Sequence, residues 1–120
     1  MLKMKEYQLQ IKLINYLKSK KLSKLRYFHI PNQGIRSFKY KMLLAQMGMK
    51  SGCPDLILEF KNGKFVYIEL KTSKGSLSKS QKLWKIISDI LKTPHYIIKG
   101  NDFIGLKKQM DSILLKHYKA

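Results

Sequence analysis

The chain has 120 residues, 44% hydrophobic and 27% charged, which is the size and balance of one globular domain (residues 1–120) and not of a disordered tail. Its 25 Lys+Arg against 7 Asp+Glu give a formal charge of +18, so the expected partner is a polyanion, and lysines spread along the whole length favour nucleic acid over a membrane surface. A single cysteine, Cys53, excludes an internal disulfide and a multi-thiolate zinc site, and no apolar run reaches the ~18 residues of a spanning helix, so a soluble, cytoplasmic protein is expected.

In chain order, residues 2 to 19 read as a helix with an apolar arc through Leu2, Leu9, Leu13, Ile14 and Leu17, with Glu6 and Gln10 as polar intruders in that arc. Residues 26 to 30 read as a short strand, PNQG at 31 to 34 as a turn, and residues 36 to 47 as a helix with Phe38, Met42, Leu43 and Met47 at helical spacing. Pro54 opens a strand running to Phe60, a turn at Asn62-Gly63 follows, and residues 64 to 71 form the return strand. A helix is predicted over 79 to 92 with Leu83, Ile86, Ile87 and Ile90 as its core side and Trp84 as a packing residue at the edge. A strand at 95 to 99 and a helix over 102 to 118 complete the chain. The last helix carries Phe103, Leu106, Met110, Ile113 and Leu114 as a stripe that suits either the core or a subunit contact. The order αβαββαβα describes an α/β fold, a mixed sheet flanked by helices.

The hairpin has two possible registers. A two-residue turn makes paired numbers sum to 125 and sets Leu56 against Glu69. A three-residue loop, Lys61 to Gly63 with Gly63 left-handed, makes the sum 124, so that Leu56 meets Ile68, Leu58 meets Val66 and Asp55 faces Glu69. Apolar matching selects the second. Asp55, Glu69 and Lys71 then share one face, and two carboxylates on neighbouring strands suit Mg²⁺, a hard ion that takes one or two carboxylates together with waters and phosphate oxygens. Such an ion polarises a phosphodiester and offsets the charge that develops on it. Glu-x-Lys by itself says little in a chain with 23 lysines; the Pro-Asp strand start and the tight hairpin around it carry the signal. Glu6 either lies at the edge of its arc, paired with a lysine, or joins Asp55 and Glu69 directly or through water. Cys53 as a nucleophile with a histidine base is the weaker reading beside a small buried thiol, and His29, His95 and His117 show no ligand spacing.

These residues resemble the virus-type replication-repair nuclease (VRR-NUC) domain of the PD-(D/E)xK superfamily. The matching pieces are Glu6, the stretch His29 to Gly34, Gly48, Gly52-Cys53-Pro54-Asp55-Leu56, Ile68-Glu69-Leu70-Lys71, Gly75-Ser76-Leu77-Ser78 and Gln81, spanning about residues 6 to 100. The resemblance implies a restriction-endonuclease-like core and dependence on Mg²⁺ or Mn²⁺. It implies metal ligation by Asp55, Glu69 and the Leu70 carbonyl, with Lys71 as catalytic lysine, Glu6 as accessory acid and Gln81 as auxiliary residue. It also implies a stand-alone phage or bacterial endonuclease that cuts branched DNA such as four-way (Holliday) junctions as a homodimer. The family's asparagine loop more often has two glycines after the Asn; here Gln33 takes the first place.

Ser78-Lys79-Ser80-Gln81 is also a capping box, so Gln81 has both a capping and an active-site reading. Arg26 and Arg36 are the only arginines, which favours recognition of backbone and shape over bidentate base reading. His29, Asn32, Arg36, Lys74 and Lys79 are candidate DNA contacts, with ordinary turn chemistry an equal explanation for Asn32. The rival reading is a basic, non-catalytic nucleic-acid-binding protein, for which carboxylates facing a polyanion have no use without a metal between them.

Overall fold

Lys61 to Gly63 close the hairpin as a single 3-10 turn with Gly63 at φ 72°, in the left-handed region that glycine enters without a Cβ penalty. The turn fixes the register: Leu56 pairs with Ile68 and Leu58 with Val66, as apolar matching requires. The computed structural model describes residues 5–30, 38–48 and 50–118. Its elements are α1 (Glu6–Lys20), β1 (Arg26–His29), α2 (Phe38–Gln46), β2 (Leu56–Phe60), β3 (Lys64–Lys71), α3 (Lys79–Ile90), β4 (His95–Lys99) and α4 (Phe103–His117). Asn32, Arg36 and the PNQG turn lie outside the described residues. Pro54 and Asp55 precede β2 instead of opening it, because the ladder with β3 begins at Leu56.

The sheet runs β1-β2-β3-β4, antiparallel over the first three strands and parallel between β3 and β4. This mixed four-stranded sheet with four flanking helices is an α/β, restriction-endonuclease-like fold. Alternation along the strands sends Leu56, Leu58, Phe60, Val66, Ile68 and Leu70 to one face, where they are buried with Leu9, Leu13 and Leu17 of α1 and Leu106, Met110, Ile113 and Leu114 of α4. Each such side chain contributes roughly 1.5–3 kcal/mol when fully buried. The stripe on α4 therefore serves the chain's own core. Tyr16 of α1 donates a hydrogen bond to Asp111 of α4, which ties the two helices across their exposed rim.

The outer edge of β4 is closed locally by a side chain. Gln109 accepts a hydrogen bond from the Lys99 N–H (3.1 Å) and donates one to the Lys99 carbonyl (2.9 Å), so its amide stands where a fifth strand would pair.

α3 corrects an expectation. Leu83, Ile86, Ile87 and Ile90 were expected in the core, yet they are 57%, 55%, 45% and 71% exposed. The helix rests on the sheet by its other side, where Ser88 is buried and the Trp84 ring meets the edge of Tyr67. His95 lies beneath it with both ring nitrogens buried and without partners among the described residues; burial, helped by Lys85, pushes its pKa down, so it packs as neutral imidazole. Periodicity found the apolar side correctly, but it does not say which side of a helix faces the sheet. On α2, Tyr40, Met42 and Leu43 are likewise exposed, as is Met47 just past its end.

Candidate active site

Asp55 stands one step before the first ladder pair, and the register places it across from Glu69, the two on one face with Lys71. The Asp55 carboxylate accepts a hydrogen bond from the Leu70 N–H (3.0 Å). That bond has a backbone cause. The Tyr67 N–H and the Lys71 carbonyl are bonded toward β4, so the even-numbered Leu70 turns its N–H and carbonyl toward β2. There it faces Pro54, which has no N–H to offer the Leu70 carbonyl. The carbonyl thus lacks a ladder partner on β2.

Glu69 is 1% exposed, and among the described residues neither of its carboxylate oxygens meets a hydrogen-bond donor. Burial first, then the hydrogen bond and charge of Asp55, push its pKa up to about 9; Lys71 pulls the other way and Glu6 adds to the rise. The pair shares a proton when one member is neutral. When both are ionised, two acceptors face each other with Lys71 as the opposing charge. A buried carboxylate pair with orphaned oxygens fits a divalent cation, which would satisfy both at once. Hard oxygen donors suit Mg²⁺ or Mn²⁺.

Glu6, in the first turn of α1, is half-buried; burial raises its pKa, Lys71 lowers it and Asp55 raises it. It shares an electrostatic neighbourhood with Asp55, Glu69 and Lys71. Among the described residues, though, no three His, Cys, Asp or Glu side chains gather closely enough to hold a metal together. Cys53, in the same loop, has its thiol pushed up by burial and then by Glu69 and Asp55, the reverse of an activated nucleophile.

Two neighbours brace the Asp55 loop. Gly52, at φ 81°, packs directly on the backbone of Ser80 and Gln81, docking the start of α3 against the loop. The capping box there is formed: Ser78 Oγ accepts from the Gln81 N–H (3.2 Å), and Gln81 Oε1 accepts from the Ser78 N–H (2.9 Å). The cap uses the oxygen of Gln81 and leaves its amide nitrogen for another contact. On the other side, the Asp55 carbonyl lies 2.8 Å from His29 Nδ1 and accepts from the Ile30 N–H at 3.2 Å. The Gln10 amide nitrogen lies 3.0 Å from the same His29 Nδ1, so the ring tautomer decides which of the two contacts that nitrogen donates to and which it accepts from. A cleft of about 470 Å³ runs from Asp55 and His29 along α1 past Glu6, Tyr7, Ile11, Asn15 and Lys18. Lys74, within the β3–α3 loop, and Lys79, at the start of α3, are exposed.

Two positioning residues carried no sequence signal of their role. Gln10 was visible only as a polar residue in an apolar arc. Asn101 accepts from the Ser73 N–H (3.0 Å) and donates to the Ser73 hydroxyl, bracing the loop that leads from Lys71 toward α3.

The VRR-NUC domain model matches residues 2–92, over three quarters of the chain. The chain belongs to the VRR-NUC family. It is therefore a nuclease domain, with DNA as the implied substrate. The matched span contains α1, the whole hairpin and α3, every described element that supplies Glu6, Asp55, Glu69, Lys71 and Gln81. Comparison with curated proteins and with solved structures gave no match. Among the described residues no helix is long and apolar enough to cross a membrane.

Proposed function

We propose that this VRR-NUC protein is a Mg²⁺-dependent DNA endonuclease that hydrolyses phosphodiesters at branched structures such as four-way junctions, with Mn²⁺ able to substitute and a homodimer as the working form. The observation that carries the reading is Glu69, buried to 1% exposure, its two oxygens without donors among the described residues, directly across the hairpin from Asp55. A carboxylate in that position is costly unless it is neutral or bound to a cation.

Asp55, Glu69 and the Leu70 carbonyl would hold the ion. When bound, it supplies Lewis-acid polarisation of the scissile phosphate and charge neutralisation. The remaining roles belong to the chain. Lys71, whose charge reaches both Glu69 and Glu6, orients the attacking water and offsets negative charge on the phosphate. Glu6 accepts a hydrogen bond from that water in this reading. One water adds across a P–O bond, its oxygen joining phosphorus while the leaving sugar oxygen takes a proton. The α3 N-terminus with Gln81, the lysines Lys74 and Lys79, and His29 position the backbone phosphates, with Asn32 and Arg36 as further candidate contacts.

The test uses purified protein with a labelled four-way junction and with linear duplex, in Mg²⁺ and in EDTA. Cutting of the junction in Mg²⁺ alone is expected, with loss in Asp55→Ala and Glu69→Ala. Cutting that survives either change removes the site. Tight binding with no cutting under any metal favours the rival, a basic binding protein, to which the charge of +18 is equally suited.

A further inference from the structure

α1 carries a second stripe beside the one it buries. Tyr7, Ile11, Ile14 and Lys18 recur at i, i+4, i+7 and i+11, a single helical face, and they line the cleft of about 470 Å³ that begins at Asp55. Ile14 packs partly against the core, but Tyr7 and Ile11 stay 60% and 55% exposed. Gln10 and His29, 3.0 Å apart, join the α1 wall of the cleft to its β1 wall. Its two acids, Glu6 and Asp55, belong to the end at the active site, and Lys18 stands about three turns further along the helix.

We infer that this cleft receives the base of one unpaired nucleotide of the DNA, next to the phosphate cut at the Asp55–Glu69 centre, and that Tyr7 and Ile11 thereby favour branched over linear substrate. The place beside a scissile phosphate rests on the nuclease reading above. An intact duplex shows a protein its phosphates, sugars and base edges, so an open tyrosine ring and an isoleucine gain little from its outside. An unstacked base offers two apolar faces. Every base has them, which suits a chain with only two arginines and so little capacity to read base edges. The cleft volume falls within the ~300–1,000 Å³ of sites for single small ligands, room for one nucleotide and not for a duplex. The charge of +18 draws the polyanion, and Lys18 meets the adjoining phosphate. Selectivity then follows from what each DNA must give up: a linear duplex has to unpair and unstack a base to fill the cleft, whereas a branch or bulge presents one already free.

The experiment is fluorescence anisotropy of the full chain with three labelled duplexes: one fully paired, one carrying a single unpaired adenosine, and one carrying an abasic unit at that same bulge. It is run in EDTA and again with Ca²⁺. The wild type should bind the bulged adenosine about tenfold tighter than the other two, the size of one base–aromatic contact. The double variant Tyr7→Ala/Ile11→Ala should lose that preference while binding the paired duplex as before and keeping its circular dichroism, since both side chains are already exposed. Ile104→Ala, at a 69% exposed site on α4, should keep the preference. Equal affinity for the bulged and abasic duplexes in both conditions, a preference that survives the α1 variant, or one lost in Ile104→Ala overturns the proposal. Because the readout is binding, a chain that prefers the unpaired base yet never cuts upholds the cleft and defeats only the function above, and one that cuts junctions without this preference does the reverse.

Discussion

The Ser80 carbonyl oxygen occupies the space that a side chain on Gly52 would need: a Cβ there would lie 2.3 Å from it and 2.8 Å from the Gln81 nitrogen. Both neighbours are backbone, and neither can swing aside. Gly52→Ala must also hold a left-handed φ of 81°, which costs roughly 1–2 kcal/mol by itself. The expected result is a shift of the Asp55 loop relative to α3 and a fall in cleavage rate on the order of 100-fold. Rates and melting curves measured together check this, and an alanine variant with full activity would show that the two elements are not rigidly joined.

Metal-free protein should lose stability as the solution becomes more alkaline. Glu69 titrates at about 9 in the folded chain against 4.5 when unfolded, so between those values the native state holds the extra proton. Stability from this group is full below pH 4.5 and is lost as pH rises through 9. Between pH 7 and 9 the melting temperature should drop by several degrees, given about 4–8 °C per kcal/mol for a small domain. Glu69→Gln should flatten that limb. His95 acts in the opposite sense: its folded pKa is lowered below 6.5, so stability falls as pH drops below 6.5, and this acid limb should remain in the Gln variant.

Divalent ions should reverse the alkaline loss. A ligand binding only the folded state stabilises it by about 2.7 kcal/mol at 100 times its dissociation constant. Because the bound form needs Glu69 deprotonated, the affinity for Mn²⁺ should rise from pH 6 to pH 8.5. Thermal shift with Mn²⁺ and Mg²⁺, with Asp55→Ala as control, reads this directly. An equal shift in the control would place the ion elsewhere.

Gln81 and Ser78 share one cap, so their alanine variants should cost a similar ~1 kcal/mol of stability. If Gln81 also faces the substrate, Gln81→Ala should slow cleavage tenfold or more beyond Ser78→Ala, about 1.4 kcal/mol of barrier. Equal rates in the two variants would leave Gln81 a capping residue only.

Binding to junction DNA should weaken steeply with salt, log K falling by about 0.9 for each phosphate neutralised per tenfold rise in salt. Lys74→Ala and Lys79→Ala should each reduce the slope by about one unit without changing sequence preference. An affinity indifferent to salt would remove the lysine surface as the binding face.

The hairpin was legible because two independent constraints, apolar matching and the geometry of a glycine turn, pointed to one register. Asp55, Glu69 and Lys71 followed from it. Glu6 was half legible: its place in the first turn could be read, but its distance from the acids depends on how α1 packs, which local pattern does not encode. Gln10 on His29 and Asn101 on Ser73 join residues far apart in sequence through single amide groups, and nothing in either neighbourhood announces them. The exposed side of α3 was invisible for a different reason: amphipathicity measures an asymmetry and is silent on what covers it.

Gln109, by mimicking a neighbouring strand at Lys99, removes an opportunity as well as supplying two hydrogen bonds. A bare flank there would let sheets add end to end without limit, a hazard for a sticky basic chain concentrated along DNA. With that flank blunted, crowding on a polymer template does not seed a fibre from it.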